Sequence, residues 1–263
     1  MCRGSGKCAA MLALIALAAC SDATGPRTTD KQVSVRLATV APSGAGASLE
    51  AGTLVLVGSN GTLRIDELYM IMDEFELKRL DDDHCVEEDH SCERFRAGPA
   101  LLDVPLDGSG VIAVAQAVDT GTYARLDFEI EDLDDVDEDE DDGVGRDEII
   151  ALRAAVRSRF PDWPRDASVL VVGSFTPTGG TSVPFRVFFD AEIEIEMHLD
   201  PPVVIEAGAT NPTFTVRIDP GVLFRNGDGT VRNLALYDFA LTGSVIEFEV
   251  EIENGISEIE YDD

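Results

Sequence analysis

Between Glu129 and Asp142 the chain carries 11 carboxylates and no basic residue, its densest run of groups able to do chemistry. Side chains packed so closely repel one another, and a divalent cation would relieve that repulsion. Asp137, Asp139, Asp141 and Asp142 are the candidate calcium ligands. An EF-hand frame fits neither nearby glycine. With Gly143 at the sixth position the twelfth is Ile149, and with Gly229 there the first and twelfth are Phe224 and Ala235. Three readings stay open: weak multi-site calcium binding, a solvated loop, or neutralisation by Arg146, Arg153, Arg157, Arg159 and Arg165, which follow directly.

Catalytic signatures are sparse. The only histidines are His84, His90 and His198, and no G-x-S-x-G elbow or phosphate-cradling glycine loop with a lysine occurs. His198 lies on a row with Glu192, Glu194 and Glu196 and reads as a surface histidine. No catalytic residue is assigned. An envelope hydrolase with an unrecognised site is the alternative to a binding or structural module, and it requires a concave pocket with convergent polar groups.

The amino terminus is more informative. Arg3 and Lys7 precede an apolar run from Ala9 to Ala19, whose 11 residues are too few to span a bilayer, since a spanning helix needs roughly 20. Basic start, short apolar stretch and small residues before Cys20 are the order of an export signal. Leu17-Ala18-Ala19-Cys20 resembles the lipobox of bacterial lipoproteins. The resemblance implies cleavage before Cys20, acylation of its thiol and a lipid-anchored place in the cell envelope. Ser21, where an inner-membrane retention signal would have Asp, favours the outer membrane. Acyl chains at about 0.8 kcal/mol per buried methylene make such an anchor effectively permanent.

Without residues 1–19 the chain has 18 Lys and Arg against 51 Asp and Glu, a formal charge of −33. That surface attracts cations and basic protein partners and excludes nucleic acid, whose binding needs phosphate neutralisation. With Cys2 and Cys8 in the signal and Cys20 acylated, Cys85 and Cys92 remain. An even pair in an exported chain reads as a disulfide, worth about 2.5 kcal/mol for so short a loop. His84 and His90 beside them leave a zinc set as the other reading, although His84 and Cys85 are adjacent. No cofactor other than calcium is expected.

Stepping along the chain, residues 20–31 form a polar tether, and alternation then begins with Val33, Val35 and Leu37. Residues 42–48 read as a loop. Strands follow over 54–57, 63–77 (broken at Asp66-Glu67), 111–115, 123–130, 169–175, 185–189, 193–199, 214–218 and 246–252. Ile149, Leu152, Val156 and Phe160 have helical spacing, closed by Pro161. The pattern predicts a mainly β protein, an antiparallel β-sandwich over 32–263 with one helix inserted at 131–166. Two smaller sandwiches split near that insertion are the alternative.

The phrases GPALLDVPLDG (98–108), GTYARLDFEI (121–130), VPFRVFF (183–189) and IDPGVLFRNGDGTV (218–231) resemble uncharacterised bacterial lipoproteins with a transthyretin-like sandwich domain of unknown function. That likeness, over roughly 50–240, implies a fold and no activity. At the carboxyl end, Asn254-Gly255 predicts a two-residue hairpin turn that sets Glu251 against Glu258 and Glu249 against Glu260.

The anchor makes a direct prediction. Cys20→Ala moves the protein from the membrane to the soluble fraction and removes its acyl mass. Unchanged membrane fractionation, with no acyl chain found by mass spectrometry on the parent, contradicts it.

Overall fold

A computed structural model describes residues 31–40, 42, 46–50, 52–80, 94–133, 146–206, 211–247 and 256–262. In chain order the strands are β1 (Lys31–Thr39), β2 (Ala47–Leu49), β3 (Leu54–Gly58), β4 (Gly61–Arg79), β5 (Arg94–Ala97), β6 (Ala100–Asp103), β7 (Gly110–Val118) and β8 (Gly121–Ile130). Helix α1 (Arg146–Arg159) comes next, then β9 (Val169–Pro177), β10 (Val183–Asp190), β11 (Ile193–Ile205) and β12 (Thr213–Ile218). Two short helices, α2 (Pro220–Phe224) and α3 (Phe239–Thr242), precede β13 (Ile246–Glu247) and β14 (Ile256–Asp262).

These form a β-sandwich. One sheet has the order β14-β12-β1-β7, and the other is built on β4. Pairing is antiparallel except for β1 with β12 and β10 with β13. Strands on either side of the 131–166 insertion join one sheet, since β4 pairs with β9 and β8 with β11. One core draws Val33, Val35 and Leu37 from β1, Phe214 and Val216 from β12, and Leu63, Ile65, Phe75 and Phe128 from the facing sheet.

The nineteen-residue strand β4 is the spine. Along one edge it pairs with β3, β6 and β5, and along the other with β9 and β8. A regular strand keeps odd residues on one face throughout, and β4 does not. Leu63 and Ile65 face the core, then Leu68, Met70 and Met72, then Phe75 and Leu77. Two bulges make the switches. Asp66 is the extra residue between the Ile65–Gly173 and Glu67–Val172 pairs. Asp73 and Glu74 together oppose Glu129, between Met72–Ile130 and Phe75–Phe128. The expected break at Asp66-Glu67 is therefore a bulge in a continuous strand.

Between the bulges, Tyr69 and Ile71 point to the outer face, where α1 covers them. Leu133, Val156, Trp163, Ala167, Leu170 and Phe188 complete this second cluster. Its rings form a chain: Tyr69–Phe160, Phe160–Trp163, Trp163–Phe188 and Phe188–Phe239, with centroids 4.8, 5.6, 5.4 and 5.0 Å apart. Arg159 caps one end, its Nη2 donating to Tyr69 Oη at 2.9 Å and Asp103 Oδ2 at 2.7 Å. Trp163 Nε1 donates to Ala167 O at 2.7 Å and closes the turn after the helix.

One sequence expectation needs correction. Ala47 and Ser48, read as loop, belong to β2. The Asn254-Gly255 turn and the first strand of the expected carboxyl-terminal hairpin, residues 248–253, lie outside the described residues; Ile246–Glu247 runs parallel to β10, and β14 pairs with β12 in the other sheet. On that side of β14 the register sets Arg217 against Glu258 and Thr215 against Glu260.

The outer aromatic layer carries the first stability prediction. Phe188 is fully buried between Trp163 and Phe239, so Phe188→Ala lowers unfolding free energy by about 3–5 kcal/mol in urea titration. Ile150, on the exposed face of α1, changes it by less than about 0.5 kcal/mol when truncated to Ala. Equal losses at the two positions would show that α1 is not docked through this layer.

Candidate functional site

The ion pairs on the outer face of the β4 sheet form a ladder crossing four strands. From β5, Arg96 Nε donates to Glu76 Oε1 on β4 at 3.1 Å. Lys78 Nζ bridges Glu76 Oε2 at 3.0 Å and Asp127 Oδ2 on β8 at 2.6 Å. Arg125 continues it, with Nε 2.8 Å from Asp127 Oδ1 and Nη2 2.7 Å from Glu196 Oε2 on β11. The register explains the pattern. Glu76 faces Asp127, Lys78 faces Arg125 and Glu196 faces Asp127, so each like pair is relieved along a diagonal.

His198 ends the ladder, its Nε2 3.6 Å from Glu196 Oε1 and its side chain 81% exposed. The alternation read in β11 holds: Ile193 and Ile195 are buried, Met197 and Leu199 partly so, and the glutamates are exposed. His198 is thus a solvated surface group with a carboxylate neighbour.

In the other direction, toward the second β4 bulge, carboxylates converge. Asp73, Glu129 and Glu131 each bring a carboxylate oxygen within 4.8 Å of the others. The bulge causes this convergence, because it sets two residues of β4 against Glu129 alone. Glu129 also lies directly opposite Glu194 of β11. Along the other edge of β4, Gly98 sits so close that a Cβ there would lie 1.9 Å from Asp73 O. Only glycine permits that approach.

The two bulges of β4 differ in how their acids are satisfied. At the first, Asp66 Oδ1 accepts from Arg64 Nε at 2.8 Å and from Thr53 Oγ1 at 3.3 Å. At the second, Asp73 Oδ1 is buried with no hydrogen-bond donor among the described residues. Arg96 Nε is 3.1 Å from Glu74 Oε1, but its hydrogen is directed to Glu76, so Glu74 gains charge proximity without a hydrogen bond.

Electrostatics follow from this arrangement. Burial, and then the Asp132 charge, raises the Asp73 carboxyl above its ordinary range. Glu74 is pushed up to about 7 by burial, against the pull of Arg96 and with Glu76, Glu129 and Asp73 adding to the rise. Glu129 is raised by burial, then by Asp73, Glu194 and Asp127. Three oxygens at this spacing can share a proton, or provide part of the oxygen shell of a hard cation such as calcium, which takes 6–8 ligands.

Most of the site residues expected from sequence lie elsewhere. Cys20, Cys85, Cys92, His84, His90 and the candidate calcium ligands Asp137, Asp139, Asp141 and Asp142 fall outside the described residues. Glu129 and Glu131 open the acidic run singled out in the sequence, but their partner Asp73 comes from 56 residues earlier. The available signal was the Asp73-Glu74 pair interrupting an apolar strand, a repeat of the Asp66-Glu67 interruption that marks the first bulge.

The Glu74 shift fixes a sign. With its folded value raised, the native protein binds more protons than the unfolded chain between about pH 4.5 and 7. Stability therefore falls as pH rises through that window. Glu74→Gln should flatten this fall and raise the melting temperature at pH 8 relative to the parent. Parallel pH–melting curves for parent and variant would assign the slope to other carboxylates.

No protein-family model matches this chain, and no curated protein does. Among solved structures, MbnP from Methylosinus trichosporium is similar, at 15% identity over 72% of this chain and 76% of that one, with a TM-score of 0.36.

Proposed function

We propose that the protein is a lipid-anchored envelope lipoprotein that works as a non-enzymatic binding or structural module, its carboxylates responding to a hard divalent cation. The lipobox residues through Cys20 support the anchor. Among the described residues no helix is long and apolar enough to cross a membrane. A surface of this net charge draws in divalent cations and, beside them, the basic face of a protein partner.

The observation that carries the cation reading is the contrast between the two β4 bulges. The same device is closed at Asp66 by a guanidinium and a hydroxyl. At Asp73 it leaves a buried oxygen without a donor among the described residues, on a side chain that meets two further carboxylates. Such an unmet acceptor calls for a proton, a water or an ion. Calcium fits the all-oxygen donor set, and Asp73, Glu129 and Glu131 would hold it, with water completing the shell. The affinity expected of three carboxylates on a sheet face is weak, in the range of about 10⁻⁴–10⁻³ M found for extracellular modules. The acidic run over Asp137, Asp139, Asp141 and Asp142 is a second place where calcium would collect.

Calcium titration by calorimetry and by melting temperature tests this. Millimolar calcium should raise the melting point by mass-action linkage. Asp73→Asn should remove most of the rise, whereas deletion of residues 134–142 should leave the bulge component in place. A rise abolished by the deletion and untouched by Asp73→Asn transfers the site to the acidic run. No response in the parent removes calcium from the function.

A further inference from the structure

Three of the five asparagines in the chain precede glycine: Asn60, Asn226 and Asn254. Asparagine is a thermolabile side chain, and before glycine the main chain can attack it, because no Cβ shields the glycine nitrogen or stiffens the bend. Asn254 lies outside the described residues. The other two sit in opposite settings. Asn60 is held at both ends of its amide: Nδ2 donates to Val231 O at 2.8 Å, and Oδ1 accepts from Val231 N at 3.0 Å. Gly61 opens β4 between Gly58 and Pro177, so closely packed that a Cβ on it would lie 2.4 Å from Thr176 O. Asn226 is exposed, as are Gly227, Asp228 and Gly229 after it. Its carboxamide has one hydrogen bond, Nδ2 donating to Thr230 Oγ1 at 2.8 Å on the exposed surface. The turn is closed by Asn226 N to Thr230 O and Gly229 N to Asn226 O, which leave the Gly227 N–H without an acceptor among the described residues. A Cβ on Gly227 would meet nothing within 4 Å.

We propose that Asn226 is a site of spontaneous deamidation and that the fold protects Asn60 from the same reaction. The Gly227 nitrogen gives up its proton and bonds to Asn226 Cγ, while the Cγ–Nδ2 bond breaks and ammonia leaves with the proton. The cyclic imide so formed then takes up one water. Cleavage of its bond from nitrogen to Cγ gives aspartate, and cleavage of its bond from nitrogen to the main-chain carbonyl carbon gives isoaspartate. Aspartate sets a carboxylate against the Thr230 hydroxyl, which already donates to Asp228 Oδ1 at 2.6 Å. Isoaspartate lengthens the backbone by one methylene between Arg225 and Val231, which pair across this turn. At Asn60 the same attack would require the carboxamide to release both Val231 groups and Gly61 to leave its place in the sheet.

Peptide mapping by mass spectrometry of the full chain, purified in detergent and incubated at mildly alkaline pH in heavy-oxygen water, tests the proposal. Only acids formed during the incubation carry the label. In the folded protein, labelled aspartate and isoaspartate should accumulate in place of Asn226 while Asn60 stays an amide. In urea both should convert, because the local sequence alone then governs the reaction. Gly227→Ala should lose most of the product at Asn226: the added methyl crowds the attacking nitrogen, and the open space around Gly227 lets the fold persist. An Asn226 that stays unlabelled in the folded chain overturns the proposal. So does an Asn60 that converts there as fast as Asn226, or that stays intact in urea. Conversion of Gly227→Ala at the parent rate overturns it as well.

Discussion

The fold depends on one strand having to bury both of its faces along part of its length. β4 contributes to the sandwich core from end to end, and in its middle it also supports α1 through Tyr69 and Ile71. A strictly alternating strand could satisfy both layers only if its apolar pattern were continuous there, and it is: LYMIM occupies 68–72. The bulges at Asp66 and at Asp73-Glu74 place this doubly apolar stretch in register with β9 on one side and β6 on the other. They then return the alternation to its starting phase. Acidic residues suit the extra positions because a bulged residue leaves the ladder and needs its own partners.

That solution has an electrostatic consequence. Each bulge brings carboxylates to an outer face already rich in them, and this chain has few cations to offset them. Arg64 serves the first bulge, while Arg96, Lys78 and Arg125 serve the ladder from β5 to β11. Arg159 and Arg186 lie over aromatic rings, Arg159 4.5 Å from the Tyr69 centroid and Arg186 5.1 Å from that of Phe188. The second bulge is left with Arg96, shared between Glu74 and Glu76. Raised carboxyl affinities for protons follow from this allocation, and so does the inferred affinity for a cation. Both remove the same uncompensated negative charge.

What could be read from sequence follows the range of each interaction. Alternation in β1, β8 and β11 needs only one buried and one open face, so the pattern alone places Val33, Val35 and Leu37 correctly. The spacing of Ile149 and Val156 likewise locates α1, and both are buried. Short strands such as β5 and β6 escape notice because they are held by pairing with β4 rather than by an apolar period of their own. The carboxylate site was half legible. Glu129 and Glu131 stood out by density, but Asp73 joins them only through strand register, which no local pattern encodes. The partners of β14 are hidden for a related reason: Glu258 and Glu260 stand opposite Arg217 and Thr215 of β12, a pairing between distant parts of the chain.

Charge density also links the core to the surface. Self-repulsion in a strongly acidic domain opposes compaction, so stability must come from elements that do not depend on surface pairing. Here these are the long apolar contacts of β4 and the aromatic stack beneath α1, two buried clusters meeting on the same strand. Surface ion pairs contribute little individually, about 0–1 kcal/mol each. The ladder from Arg96 to Glu196 is better understood as setting register. Shifting β8 by one residue against β4 would turn Asp127 inward and remove the Lys78 bridge, while the core would lose Phe128. Apolar and ionic patterns therefore select the same register. At the Asp73 bulge they diverge: the apolar pattern still requires the register, and the charges oppose it. A proton or a cation can act on the molecule there because it reduces that opposition without disturbing the packing.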